Sequence, residues 1–586
     1  MWPSAGPRLA YIFPIAAGFF WLSESVRRYP RGFFWPPDPP VLVVQIGILL
    51  VFVAIAAAVA AGLQAVARFA AFPYGVAEPL AGGPRLAAFL VGVTLLAAVL
   101  RFFWIDLIPS APWTDVIYAI EASARTGRFL APWEFTWVHP HDLHPESRVT
   151  IYGDYADYVR AILLVARDRI VAHALVPGIP AALLPAALAL AARRLVGGAV
   201  PAVAALLAAA MCWPLVLSRW GWEQQLMSLL LLLGLERLLH GWATERALSF
   251  ALAGFLGGVA CHTYLGGYLG LASFLSFAAL ASFWRRKAGP FAFTAAGSLA
   301  AFLPLVPMYA SHPELWGGRA AEIAVRGSLG KKAADLAMNV YEYLGMFYFN
   351  LDPHYWHGLY HEPHFTPLTI GFMTIGLAWL FACGLYRRRE WLAFWLLLLA
   401  TLAGGVLSQP QLSPNGYRTG FAGLLMLVPI ATGIVALTRS PVFSIRFRRL
   451  ALPLTVLLVL TLDFDRFLAW GLGQGGHPSS GESEAYAGRF LDVTKHAGQS
   501  AVLDPGVIYW VEYSPYCVAF QVDRDRPLEP LHPPEVRHIA PGDLAREAKL
   551  DWYVTTAPAP GYHAVNVGSP RGGPYAIRLR RPAASP

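Results

Sequence analysis

Two carboxylates at the start of a long polar loop are the residues best placed for chemistry. Asp115 and Glu121 follow an apolar segment, in the sequence P-S-A-P-W-T-D-V-I-Y-A-I-E-A. A carboxylate at a membrane surface can act as a general base, or orient an acceptor, in a reaction with a lipid-borne donor. Asp115 also fits the first turn of a helix, where a carboxylate favours the N-terminal dipole. Asp154, later in the loop, is a reserve candidate alongside Glu121.

Arginines on the same side of the predicted membrane could hold a phosphate group. Arg219 and Arg418 are the candidates for a lipid phosphate, because a guanidinium binds phosphate through paired hydrogen bonds. Ordinary lipid headgroups explain such arginines equally well, and Arg219 could also pair with Glu223 four residues on. Trp113 and Tyr152 could stack on a sugar or cover a lipid, although an aromatic belt at the membrane interface accounts for both.

Histidines are concentrated in two polar stretches. His139 and His141 lie in H-P-H-D-L-H-P-E, and His354 lies in D-P-H-Y-W-H-G-L-Y-H-E-P-H. Imidazole together with carboxylate suits divalent ions, but the spacing matches no specific metal motif. We therefore predict no metal site, and a divalent metal is only a weak candidate cofactor.

The composition indicates that the bilayer surrounds most of the chain. Hydrophobic residues make up 56% of the 586 residues and charged residues 14%, against about 25% charged in soluble domains. Apolar runs long enough to cross a bilayer predict a polytopic α-helical membrane protein of about 11–13 transmembrane helices. The runs lie near 9–24, 41–67, 85–107, 171–192, 199–217, 223–240, 247–264, 266–284, 290–310, 367–386, 391–407, 418–438 and 450–471.

Basic residues orient the predicted helices. The net charge of +9 comes from small clusters in alternate short loops, which is typical of cytoplasmic loops and excludes a nucleic-acid partner. The loops 108–170 and 311–366, the turns near 218–222 and 408–417, and everything after 472 should then face outward. Frequent alanine and arginine suggest a bacterial source, which gives a multi-pass protein of the bacterial cytoplasmic (inner) membrane with a periplasmic tail.

The chain divides into three parts. Residues 1–84 carry the first membrane helices, residues 85–471 form the transmembrane core, and residues 472–586 form a linker and a small soluble α/β domain. In the tail, short apolar runs predict strands at 501–504, 507–512, 517–522, 551–555 and 574–579. Amphipathic helices are predicted at 484–497 and 541–549.

The order of several motifs between residues 85 and 438 resembles a family. The acidic loop around Asp115 is followed by A-L-A-L-A-A-R-R-L-V-G-G, W-P-L-V-L-S-R-W-G-W-E, C-H-T-Y-L-G-G-Y, H-P-E-L-W-G-G-R and P-N-G-Y-R-T-G-F-A-G-L-L. Together these are similar to the polytopic GT-C glycosyltransferases, especially the bacterial glycosyltransferase family 39 branch related to protein mannosyltransferases. Two departures are Val116, which replaces the second carboxylate of the family's D-E pair, and Glu223, where relatives often carry a basic residue.

The resemblance implies transfer of a sugar from a polyprenyl-phosphate donor to a glycan, lipid or protein acceptor on the outer face of the membrane. Asp115 corresponds to the family's acidic residue that acts on the acceptor. Because the sugar–phosphate bond already has a good leaving group, the protein must mainly position the acceptor and stabilise the departing phosphate. The alternatives are a transporter or flippase, a polymerase or ligase of lipid-linked saccharides, and a noncatalytic membrane scaffold.

Overall fold

The computed structural model describes the chain from residue 83 onward, with gaps. The described residues are 83–103, 114–131, 134–138, 149–219, 224–313, 324–348, 364–387, 389–409, 415–416, 418–438, 444–471 and separate segments between 487 and 579. The predicted helices at 9–24 and 41–67 lie outside them.

Each of the eleven apolar runs predicted from residue 85 onward coincides with helical structure. Six described helices are long and apolar enough to cross a membrane, or seven if one bent pair counts as a single span. The chain is therefore a polytopic helical membrane protein. The helices are α1 (Gly83–Phe102), α2 (Thr114–Thr126), α3 (Gly153–Ala166), α4 (Arg169–Leu195), α5 (Val200–Ala210), α6 (Cys212–Arg219), α7 (Gln224–Thr244), α8 (Ala247–Cys261), α9 (Gly266–Arg285), α10 (Gly289–Phe302), α11 (Val306–Ser311), α12 (Leu329–Gly345), α13 (Pro367–Arg387), α14 (Glu390–Val406), α15 (Gly420–Thr438) and α16 (Ile445–Gly471).

The two ends of the helix bundle differ in charge. At one end, which we call the basic end, Arg194 lies 3.1 Å from Glu236, and Glu245 pairs with both Arg285 and Lys287. These are the basic clusters that the sequence places in alternate loops. Because successive helices run in opposite directions, the turn before α7, the end of α8, the end of α11 and the turn before α15 lie at the other end, which we call the polar end.

The loop between α1 and α4 folds into a compact unit at the polar end. Strands β1 (Phe135–Val138) and β2 (Val149–Tyr152) form an antiparallel hairpin that pairs Phe135 with Tyr152. Helix α3 follows directly, and a Cβ at Gly153 would lie 2.7 Å from two carbonyl oxygens, so only glycine fits this junction. The sequence predicted the start of α2 but not the hairpin.

The tail contains a mixed sheet, as expected of a small α/β domain. Its strands are β3 (Ala501–Leu503), β4 (Trp552–Thr555), β5 (Ala564–Asn566) and β6 (Tyr575–Arg578), in the order β3-β4-β6-β5, and only β3 and β4 pair in parallel. The strands predicted at 501–504, 551–555 and 574–579 are confirmed, β5 was not predicted, and 507–512 and 517–522 lie outside the described residues.

The helix predicted at 541–549 is wrong. The described residues there form a single 3₁₀ turn, Leu544–Arg546. The segment follows Pro541-Gly542 and soon enters β4, which leaves too few residues for a stable α-helix. Within 484–497, residues 487, 490–491 and 493–495 are helical.

Close helix packing in the core depends on glycine, and this gives a stability prediction. A Cβ at Gly376 on α13 would lie 1.7 Å from the carbonyl oxygen of Pro429 on α15, whereas one at Gly371 would meet nothing within 4 Å. We expect Gly376→Ala to lower the free energy of unfolding by about 2 kcal/mol, because the two backbones must separate. Gly371→Ala should be neutral or slightly stabilising. Thermal unfolding of both variants in detergent measures this difference, and equal midpoints would contradict it.

Candidate functional site

One helix of the core is broken, and the first half ends on a buried arginine. Helices α5 and α6 meet at Met211 with a bend of 48°. Arg101 of α1 donates to the carbonyl oxygens of Ala208 and Ala209, both at 3.0 Å, and its side chain is only 2% exposed. These carbonyls lack partners in their own helix, so the guanidinium both satisfies them and complements the negative end of the helix dipole.

The second half of the broken helix begins on a buried carboxylate. Asp463 of α16 accepts a hydrogen bond of 2.7 Å from the backbone nitrogen of Cys212, the first residue of α6. Arg466 lies 3.3 Å from the other oxygen of the same carboxylate. A negative charge at a helix N-terminus is favourable, so the two sides of the break are held by side chains of opposite charge.

Arg219 ends α6 and ties it to α1. Its Nη2 donates to the carbonyl oxygens of Leu100, at 2.8 Å, and of Phe103, and its guanidinium lies over the ring of Phe467. The residue is buried. The structure therefore places this predicted phosphate contact at the polar end but inside the helix packing, with two donors used to cap α1. Glu223, its predicted alternative partner, lies outside the described residues.

Arg418 lies on a turn that its neighbours hold in place. The backbone nitrogen of Arg418 donates to both the carbonyl and the side-chain oxygen of Asn415, at 3.1 and 3.3 Å. The nitrogen of Asn415 in turn donates to the hydroxyl of Tyr343 on α12. Gly405 makes room for this tyrosine, because a Cβ there would lie 2.4 Å from its ring. The Arg418 side chain is partly buried, and its Nη1 is buried without a hydrogen-bond partner.

The predicted carboxylates Asp115 and Glu121 both lie on α2. Asp115 is in the first turn of α2, and its side chain is not among those described. Glu121 is fully buried and pairs with Arg125 at 2.5 Å, which makes it part of the packing of α2. The Arg128 guanidinium lowers the pKa of the exposed Glu134 carboxyl to about 2 and helps to fix the loop that follows α2.

Asp154 and a histidine that the sequence did not single out form a pair. Asp154 lies in the first turn of α3, and its Oδ2 is 2.5 Å from Nδ1 of His262 at the end of α8. The other carboxylate oxygen, Oδ1, and the other ring nitrogen, Nε2, are both buried without a hydrogen-bond partner. Sequence patterns give little indication of this pair, because the two residues are 108 positions apart in the chain.

Three tyrosines lie beside the Asp154–His262 pair. The hydroxyl of Tyr309 is 3.1 Å from that of Tyr152 and 2.6 Å from that of Tyr268. Burial raises the pKa of Tyr152, with Tyr309 contributing, so this hydroxyl stays protonated at neutral pH. Tyr152, the predicted sugar or lipid contact, is thus part of a hydroxyl-lined group at the polar end.

Other predicted site residues lie outside the described part of the chain. These are Trp113, His139, His141 and His354. Among the residues that the structure describes, no group of three His, Cys, Asp or Glu side chains could hold a metal ion. The catalytic, phosphate and sugar assignments made from the sequence stay predictions.

Comparison with known proteins finds similarity only among solved structures. No family model and no curated protein matches the chain. ArnT from Cupriavidus metallidurans, bound to undecaprenyl phosphate, matches over 86% of this chain and 100% of its own, with 13% identity and a TM-score of 0.48. The Archaeoglobus fulgidus oligosaccharyltransferase matches over 75% of this chain, with 13% identity and a TM-score of 0.44, and the chain spans 64% of its length.

A third match is the arabinosyltransferase EmbB from Mycobacterium smegmatis, with 14% identity, a TM-score of 0.30 and coverage of 75% of this chain and 45% of that one. All three matches combine low sequence identity with a TM-score below 0.5. Matches at this level report a partial likeness of the helical arrangement and nothing about the reaction or substrate. The predicted family 39 branch stays a prediction.

The charges at the helix break give a second stability prediction. Asp463→Leu removes the acceptor for the Cys212 nitrogen and the partner of Arg466, so we expect the free energy of unfolding to fall by about 3 kcal/mol. Asp465→Leu is the matched control, because Asp465 is exposed two residues along the same helix. The thermal midpoints of the two variants in detergent measure the effect. A midpoint for Asp463→Leu no lower than that of the control would show that the break needs no buried charge.

Proposed function

We propose that the protein is a membrane glycosyltransferase that moves a sugar from a polyprenyl-phosphate donor to an acceptor at the polar end of the bundle. The polar end is taken to face the outside of the cytoplasmic membrane, since basic loops stay on the cytoplasmic side. Asp115 is the base or acceptor-orienting group, and Arg418 and Arg219 are the phosphate contacts.

The observation that carries the proposal is the unsatisfied guanidinium of Arg418. A buried cationic donor without a partner costs free energy, and an anion that accepts from Nη1 would remove that cost. The backbone of the turn that carries Arg418 is held by Asn415 and Tyr343, so the position of this residue in the chain is set before a ligand arrives. A phosphate at the membrane surface fits both the charge and the location.

The distribution of polar groups favours chemistry at a surface over passage through the membrane. The charged residues that the structure shows deep in the core, Arg101 and Asp463, are already used to satisfy the broken helix. Carriers instead expose charges and broken helices to a central binding site. At the polar end, Asp154, His262 and Arg418 each keep a buried side-chain atom without a hydrogen-bond partner.

The proposed reaction needs few groups. The acceptor oxygen attacks the anomeric carbon while the bond from that carbon to the phosphate oxygen breaks. The acceptor's proton passes to the Asp115 carboxylate, and the polyprenyl phosphate leaves with the electron pair of the broken bond. Arg418 stabilises the negative charge that develops on the leaving phosphate, which lowers the barrier more than it stabilises the bound donor.

Loss of the Arg418 charge should weaken binding of the lipid. Arg418→Gln removes a charge-assisted hydrogen bond, so we expect the dissociation constant for undecaprenyl phosphate to rise about tenfold or more. Arg246→Gln is the control, because Arg246 is exposed at the basic end. Titration of the purified variants with the lipid in detergent measures both constants. Equal affinities would remove Arg418 from the phosphate site.

Loss of the Asp115 charge should stop transfer and leave binding intact. Asp115→Asn keeps the size of the side chain but cannot take a proton, so we expect the rate of sugar release to fall at least a hundredfold. Asp543→Asn, an exposed aspartate of the tail, is the isosteric control. The assay follows radiolabelled sugar from a panel of polyprenyl-phosphate monosaccharides. An unchanged rate in Asp115→Asn would remove this residue from the mechanism.

A further inference from the structure

We propose that Asp154 and His262 form a subsite that binds hydroxyl groups of a saccharide. The subsite rests on the proposed function in one respect: the sugar that it binds would belong to the donor or to the acceptor of the proposed reaction. The subsite is spatially distinct from Asp115. Contacts within the protein hold Asp154 and His262 in place, so their arrangement does not depend on a bound sugar.

The pair is ordered but not saturated. One oxygen of Asp154 and one nitrogen of His262 hold each other at 2.5 Å, which fixes both side chains. The remaining Oδ1 and Nε2 are buried and lack partners, and His262 is only 3% exposed. Unsatisfied polar atoms of this kind destabilise a folded protein, so two of them in one hydrogen-bonded pair point to a ligand that completes them.

The chemistry of the two atoms selects the ligand. A carboxylate oxygen can only accept, so it needs a donor, and the ring nitrogen accepts or donates according to its protonation. A hydroxyl both donates and accepts, so hydroxyl groups of a sugar can bond both to the carboxylate oxygen and to the ring nitrogen. The carboxylate repels a phosphate, so the anionic part of a lipid-linked sugar would lie elsewhere.

The surroundings fit a neutral polar ring. The side chain of Asp154 is 36% exposed, so a ligand can approach the pair along that edge. The hydroxyl group of Tyr152 and its neighbours Tyr268 and Tyr309 supply further donors and acceptors, and the rings offer faces to pack against a sugar.

The subsite is about one and a half helical turns from Asp115. Helices α2 and α3 run side by side in the same direction, because Ser123 bonds to Ala156 and Arg160 bonds to Gly127, both 33 residues apart. The same offset aligns Asp154 with Glu121. Asp115 therefore lies about 9 Å farther along the axis, since an α-helix rises 1.5 Å per residue. The Asp154–His262 pair and the helix position of Asp115 are therefore separate along the axis of the loop unit.

The first experiment needs no lipid and no turnover. Saturation-transfer NMR on the detergent-solubilised wild type with a panel of methyl glycosides should show transfer to at least one sugar. We expect Asp154→Asn and His262→Gln to reduce that transfer at least fivefold. Asp157→Asn is the matched control, since Asp157 is one turn along the same helix and accepts from the Leu130 nitrogen. Thermal unfolding of each variant separates loss of binding from loss of fold.

The second experiment identifies the source of the sugar. Affinities for undecaprenyl phosphate with and without a linked mannose are compared in wild type, Asp154→Asn and Arg418→Gln. If the donor sugar occupies the subsite, Asp154→Asn lowers only the preference for the sugar-bearing lipid, about tenfold, whereas Arg418→Gln weakens both lipids equally. If saturation transfer to a free glycoside depends on Asp154 but the preference for the sugar-bearing lipid does not, the acceptor sugar occupies the subsite.

Two results overturn the subsite. One is the absence of saturation transfer to every glycoside in the wild type, or equal transfer in the wild type and in a folded Asp154→Asn variant. The other is loss of transfer when a chelator is added to the wild type, which would assign the pair to a metal ion. Failure of the proposed function is a separate outcome, because the wild type would then bind glycosides but release sugar from no polyprenyl-phosphate donor.

Discussion

A buried break in a membrane helix is the constraint on which the rest of the structure depends. Inside a bilayer, the free carbonyls and amides at such a break find no water, so the protein itself must satisfy them. Arg101 from α1 caps the first half, and Asp463 from α16 caps the second. Two helices distant in sequence are thereby fixed on either side of the break, and α6 is directed so that Arg219 reaches the end of α1.

From this fixed core the molecule presents two chemically different ends. At the basic end, Glu236 pairs with Arg194 and Arg237, and Glu245 pairs with Arg285 and Lys287. At the polar end, Arg418, Asp154 and His262 hold well-defined positions but keep atoms that no protein group satisfies. Ordered groups with unused hydrogen-bonding capacity are what a binding site needs, because little entropy is lost when a ligand arrives.

Hydropathy was enough to locate the helices, because every span has to be apolar over a length that the bilayer sets. It could not show that the span at 199–217 is broken at Met211, since that depends on Arg101 and Asp463, whose positions follow from packing. The β1–β2 hairpin was not predicted, because each of its strands has only four residues. The close packing at Gly153, where β2 meets α3, becomes visible only in the folded backbone.

The site was predictable in part. The sequence singled out Asp154, Tyr152 and Arg418 from their residue types and location. The structure places the first two beside His262, and the roles of all three residues stay predictions. His262 was missed, because a single histidine at the end of an apolar helix carries no pattern. Glu121 was a reserve candidate beside Asp115 in the sequence, but in the fold it is fully buried and pairs with Arg125.

The most direct test of the account is sugar release by the purified wild-type protein from a panel of radiolabelled polyprenyl-phosphate monosaccharides, offered with membrane extract as the source of acceptor. The account predicts turnover with at least one donor and release of the free polyprenyl phosphate in equal amount. A folded protein that binds undecaprenyl phosphate but turns over no donor would contradict the transferase and favour a ligase, a transporter or a scaffold.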